Sequence, residues 1–125
     1  MNRIDELWLE AHEALDKAWS VQSVEESSRT DHTMVLRLNI QPGVFVSAFL
    51  SERSDSLAFA LIKNEQRIFG IDREGDTWHL HPYGESGRHE PLPQRLEPKP
   101  LLRFLARVEQ LILEHNILTD DSGSL

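Results

Sequence analysis

Three histidines, His79, His81 and His89, fall close together in the run RIFGIDREGDTWHLHPYGESGRHEPL (residues 67–92), with Asp72, Arg73, Tyr83, Glu85, Arg88 and Glu90 around them. An imidazole ionises near neutral pH and so both gives and takes protons. A carboxylate beside it fixes its tautomer, and a guanidinium meets negative charge developing on a phosphate. Side chains two apart in a strand share a face, so His79 and His81 should project together, about 7 Å apart at the base, while Trp78 and Leu80 turn into the core. Asp72 ends the preceding strand across the REGD turn, and His89 lies in the glycine-bearing loop YGESGRHE, which is able to fold back over that face. One use of these groups is acid–base chemistry by His79, His81, His89 and Asp72, with Arg73, Arg88 and Tyr83 on the substrate. Another is a divalent metal held by His79, His81 and His89, a nitrogen set that zinc accepts. A third is a solvated hairpin face with no chemical task. The residues leave all three open, since no HExxH spacing is present.

Other chemistry has less support. The serines cluster in ESSRTD and SERSDS without a GxSxG elbow, and neither a GxxxxGK[ST] nor a GxGxxG loop occurs. No cofactor is expected apart from that metal. His12, His32 and His115 fall on a helix face, a loop and a helix end, where His115 complements the helix dipole.

The elements that must position the hairpin follow from periodicity. Ile4, Leu7, Trp8, Ala11, Leu15, Ala18 and Trp19 recur at helical intervals, opposite Asp5, Glu10, Glu13, Asp16 and Lys17. This predicts an amphipathic helix laid on a sheet, with Asn2 as N-cap and Asp5 and Glu6 at the positive end of the dipole. Residues 20–32 read as a loop with at most a short edge strand over Val21–Val24. Thr33–Ile40 alternates apolar and polar side chains as a strand buried on one face does. Val44–Leu50 is almost continuously apolar, which predicts a central strand covered on both faces. Leu57–Ile62, Arg67–Asp72 and Thr77–His81 follow, joined by short polar turns that favour an antiparallel meander. Pro82, Pro91, Pro93, Pro98 and Pro100 mark an extended surface segment. Leu101, Leu102, Phe104, Leu105, Val108, Leu111, Ile112 and Leu118 then trace a second helix, with Pro98 or Pro100 in its first turn and Asn116 near its end. The expected fold is α+β: a single layer of four to five antiparallel strands packed by an N-terminal and a C-terminal helix, in one domain over residues 1–118 with a disordered tail at 119–125.

Composition bounds the function. A chain of 125 residues is long enough for one core without a disulfide or structural metal. The absence of cysteine excludes a thiolate site and fits a reducing compartment, so the cytoplasm is expected. The acid-studded N-terminus lacks the apolar run of a signal peptide or membrane span. A net charge of -8 opposes tight nonspecific binding to nucleic acid, although a local basic patch is enough to position RNA.

The stretch RIFGIDREGDTWHLHPYGESGRHEP, followed by a helix of the type LLRFLARVEQLI, resembles the TumE family of small prokaryotic toxin–antitoxin proteins. In that family a strand ending in an aspartate-bearing turn leads into a histidine-rich segment, a glycine-containing loop and a closing amphipathic helix. The matching positions are Asp72, Gly75, His79, His81, Gly84 and His89, with the helix at Leu101–Ile112, roughly the last half of the chain. The sequence departs in having Arg73 where the family often has asparagine, and in a longer N-terminal helix. The resemblance implies a toxin-type protein encoded beside a DNA-binding antitoxin, with that neighbour as its partner, and suggests RNA as its target; the histidines and arginines then make hydrolysis or transesterification of RNA, a ribonuclease activity, the chemistry to expect. Homo-oligomerisation stays open. The alternative is a non-catalytic acidic binding module, of the immunity or antitoxin kind or a small secretion-type chaperone. Such chaperones usually interpose a helix among their strands, and none is predicted between Val44 and His81.

Overall fold

In the computed structural model, residues 3–85 and 87–119 are described; the expected N-cap Asn2 and the tail from Asp120 lie outside them. Helix α1 (Arg3–Lys17) precedes seven strands: β1 (Ser23–Arg29), β2 (Thr33–Gln41), β3 (Val44–Ser51), β4 (Ser56–Lys63), β5 (Gln66–Glu74), β6 (Thr77–His81) and β7 (Glu90–Pro91). Helix α2 (Pro100–His115) closes the chain. The strands form one antiparallel sheet in sequence order. The α+β architecture and the meander are as expected, but the sheet has seven strands where four to five were predicted.

The two additional strands lie at the edges. β1 pairs with β2 from Ser23↔Asn39 to Arg29↔Met34, with a bulge between Glu26 and Ser28, although its sequence SVEESSR has no apolar alternation and is almost wholly exposed. An edge strand needs only a backbone partner, and charged side chains along it deter pairing with other chains. Side chains reinforce the pairing, because Asn39 Nδ2 donates to Glu25 Oε2 at 2.6 Å and to Ser23 Oγ at 3.1 Å. At the other edge β7 is two residues long, pairing Pro91 with His79 and Glu90 with Leu80. A proline there costs no ladder bond on the solvent side.

Both helices pack on one face of the sheet, which gives β2, β3 and β4 their alternating burial. That face carries Leu36, Leu38, Val46, Phe59, Leu61, Ile71 and Trp78, against Ala11 and Ala14 of α1 and Leu101, Phe104 and Val108 of α2. The Phe104 ring stacks against Phe69 and tilts against Phe59, both centroids 5.3 Å away. The buried stripe of α1 is narrower than its periodicity suggested: Ile4, Leu7, Ala11 and Ala14 are buried, while Trp8, Leu15 and Trp19 stay exposed. Trp8 instead stacks on His12 at 3.9 Å.

α2 begins at Pro100 and ends at Asn116, whose left-handed conformation (φ 52°) caps it through a bond from its amide to the Ile112 carbonyl. Its first turn has no cap of its own; Glu10 of α1 supplies one, accepting from the Leu102 amide at 2.8 Å. Ser20 Oγ donates to Glu109 Oε2 at 2.6 Å, and Lys99 Nζ to Glu13 Oε1 at 2.8 Å, so the helix layer is also tied by polar contacts.

The expectation that β3 is covered on both faces is overturned. Val44, Val46, Ala48 and Leu50 are buried under the helices, but Phe45, Ser47 and Phe49 point to a face that neither described helix covers and are half-buried. The run is continuously apolar because the open face is itself partly apolar there.

Candidate functional site

The histidine hairpin lies on this open face. β5 and β6 pair in the register Gly70↔His81, Ile71↔Leu80, Asp72↔His79 and Arg73↔Trp78. Alternation therefore places Gly70, Asp72, His79 and His81 together, and sends Ile71, Arg73, Trp78 and Leu80 to the helix side. Trp78 is buried and Leu80 packs against the core, as expected.

The two oxygens of Asp72 serve two imidazoles. His81 Nε2 bonds to Asp72 Oδ2 at 2.9 Å, and His79 Nδ1 lies 3.7 Å from Asp72 Oδ1. The His89 ring stands 4.3 Å from that of His79 and 5.0 Å from that of His81, centroid to centroid. Three imidazoles thus surround one carboxylate, with His89 exposed and His79 and His81 half-buried. The orientations differ in consequence. His81 has one nitrogen on Asp72 and the other, Nδ1, buried without a hydrogen-bond partner among the described residues, so it has no free nitrogen to offer a substrate. His79 turns Nδ1 towards Asp72, and its Nε2 makes no hydrogen bond among the described residues.

Gly70 gives this corner its shape. A Cβ there would meet the Phe59 carbonyl oxygen at 3.1 Å, Arg67 Cδ at 3.3 Å and His81 Cδ2 at 3.6 Å. The Arg67 side chain therefore runs over Gly70 beside His81, and its guanidinium has no ion pair among the described residues. Sequence reasoning missed both residues; the available signal was a glycine inside a strand pattern, which marks a close approach.

The expected substrate-binding residues do not join the cluster. Arg73 is 6% exposed on the opposite face. Its Nη1 donates to Asp55 Oδ1 at 3.1 Å and to the Gly75 carbonyl at 2.6 Å, while its Nε is buried without a partner among the described residues. That pairing, with Arg3 also bonded to Asp55, holds the Asp55 carboxyl below its ordinary range. Arg88 is engaged on the loop surface by Glu85 at 2.7 Å and Glu90 at 3.1 Å, which raise its already high pKa. Tyr83 stacks on His115 at 4.4 Å and pins the loop to the end of α2.

For a metal, the predicted set was His79, His81 and His89. The structure instead brings one ligand atom each of Asp72, His81 and His89 within 4.8 Å of one another. This nitrogen and oxygen set suits a divalent ion in number and type. Its outer shell is incomplete, because a metal-bound imidazole ordinarily donates its second N–H to a neighbour and His81 Nδ1 has none. No described helix is long and apolar enough to cross a membrane. The chain matches no family model, no curated protein and no solved structure.

Proposed function

We propose that the protein is a ribonuclease of the toxin type that cleaves RNA at the histidine cluster, using the 2′-hydroxyl as nucleophile. The observation carrying this reading is the single carboxylate, Asp72, that holds His81 and faces His79 while His89 closes over both. The resemblance of the hairpin to the TumE family supports it, and makes a neighbouring-gene antitoxin the expected partner.

In this mechanism His79 Nε2 removes the proton of the 2′-hydroxyl, with Nδ1 directed by Asp72. The 2′-oxygen attacks phosphorus and the bond from phosphorus to the 5′-oxygen breaks. His89 supplies the proton that the leaving 5′-oxygen takes up, and Arg67 offsets the charge gathering on the phosphate oxygens. His81 is a positioning residue: it holds Asp72 by one nitrogen and has none free. The products are a 2′,3′-cyclic phosphate and a 5′-hydroxyl, so atoms and protons balance without a co-reactant.

A metal centre at Asp72, His81 and His89 is the second reading, favoured by the convergence of those ligand atoms. One experiment separates the two. Purified protein should cleave single-stranded RNA in the presence of EDTA, and His79→Ala/His81→Ala should abolish cleavage while keeping a cooperative thermal transition. Loss of cleavage in EDTA, restored by zinc, would favour the metal centre; full activity in the folded double variant would dispose of both.

A further inference from the structure

We infer that the open face of the sheet between β3 and β6 is a platform for single-stranded RNA, on which bases beside the scissile phosphate stack against Phe49 and against the Arg37 guanidinium laid on Phe45. The inference rests on the proposed RNA substrate and names how that substrate is held.

A sheet face left to water is ordinarily polar. This one carries Val35, Phe45, Phe49, Ala58, Ala60 and Ile62, all half-buried, so the apolar surface that it shows to water is contiguous across three strands and available to a flat ligand. The strand register lays these residues in rows that run straight to the histidines. One row crosses the sheet as Val35, Phe49, Ala58, Asp72 and His79; the next as Arg37, Ser47, Ala60, Gly70 and His81. Between the aromatic side and the imidazole side the floor is therefore two alanines, a shallow trough that ends where the Arg67 stem covers Gly70. Phe49 stands two strands from Asp72, about 10 Å at the spacing of neighbouring strands. That is within reach of nucleotides flanking a phosphate held at the cluster.

The polar groups fit the same occupant. Arg37 and Arg67 border the trough, and neither has an ion pair among the described residues. Arg37 lies over the Phe45 ring, 3.7 Å from its centroid, where a base extends the stack and a phosphate meets the guanidinium. A groove of about 830 Å³ lined by Arg37, Phe45, Ser47, Ile62, Asn64 and Glu65 continues the trough away from the histidines. In a duplex the base faces are already covered by the neighbouring stacked pairs, so the platform selects unpaired strands. The acidic body adds little long-range attraction, so binding should depend weakly on salt.

The test uses His79→Ala/His81→Ala as the parent, so that binding is read without cleavage, with a short fluorescein-labelled RNA of mixed sequence followed by fluorescence anisotropy. Phe49→Leu and Phe45→Leu, added singly, keep the apolar bulk but remove the ring, and should each weaken binding about tenfold. The parent should bind the same strand far less well once annealed to its complement. The slope of log K against log salt should be near -1.4, from two phosphate contacts at about 0.7 each. Unchanged affinity in both leucine variants, equal affinity for duplex, or no binding by the parent would overturn the platform. So would self-association of the parent that the leucine variants lose, which assigns the face to a second copy. If the native protein leaves RNA uncut while the phenylalanine-dependent binding holds, the nuclease reading fails and the platform stands.

Discussion

The two faces of the sheet are built from the same strands and do opposite things. The helix-covered face is filled with large aliphatic and aromatic side chains, Leu36, Leu38, Phe59, Leu61 and Ile71 among them, all nearly inaccessible to water. The open face carries Ala58 and Ala60 of β4 and Gly70 of β5, with Phe49 to one side and Asp72, His79 and His81 to the other. Large residues close one face by filling it; small residues keep the other accessible and let polar side chains reach over a flat floor. Stability is therefore concentrated on one side of the sheet and chemistry on the other, separated by the thickness of one strand layer.

The sharpest way to break that division is to truncate one aromatic on each face. Phe104 is fully buried and touches both Phe59 and Phe69, so Phe104→Ala removes a ring and leaves a cavity that α2 and the sheet cannot collapse. Chemical denaturation should show a loss of about 3–5 kcal/mol. Phe49→Leu, half-buried on the open face, should cost less than about 1.5 kcal/mol. Comparable losses in the two variants would mean that the open face is a second core.

Asp72 and Arg73 test the same division with neighbours in the chain. Asp72→Asn keeps the shape but removes the charge that faces His79 and holds His81; the expected result is a 10- to 100-fold fall in RNA cleavage with an almost unchanged melting temperature. Arg73→Met keeps most of the buried stem while removing the bonds to Asp55 and Gly75. Because Asp55 is itself partly exposed and retains Arg3, the loss should be about 1–2 kcal/mol of stability, with cleavage unaffected. A cleavage defect in Arg73→Met that persists at temperatures where the protein is fully folded would place the guanidinium in the site after all.

Those two residues also show what the sequence makes legible. Alternation in β2, β4, β5 and β6 and the stripes of α1 and α2 are strong enough to place the elements, and the His-x-His spacing is enough to put His79 and His81 on one face. The misplacement of Arg73 came from ending its strand at Asp72, which leaves the arginine in a turn, free to swing towards the histidines. β5 runs on to Glu74, and once Arg73 is in the strand its side chain must oppose that of Asp72. β1 was illegible for a different reason, since its edge pairing is made by backbone and polar side chains and leaves no apolar period. β3 misled because a strand with apolar residues on both sides reads as doubly covered, and periodicity cannot distinguish a face covered by a helix from one kept for a ligand. The Tyr83–His115 stack joins residues distant in the chain, and no local pattern announces it.

The smallest effect lies where the covered face is closed by a charge. Glu10 bridges α1 to the first turn of α2, and burial between the helices pushes its carboxyl from an ordinary 4.5 up to about 7, against the pull of the Leu102 and Leu101 amides. Since the folded pKa exceeds the unfolded one, the folded state binds more protons between those values. The contribution of Glu10 to stability should then be greatest below about pH 4.5, fall as the pH rises towards 7 and level off above it. Glu10→Gln keeps an acceptor for the Leu102 amide and removes the charge. With the residue only partly buried, solvent screening reduces the expected gain at pH 8 to about 1 kcal/mol, with little difference from wild type at pH 4.5. Denaturation curves across that range should lose this component of the slope in the variant, and the pH profile of RNA cleavage, set on the far side of the sheet, should not move. An unchanged slope would show that Glu10 stays charged in the folded protein, which would make the α2 amides stronger than the burial they oppose.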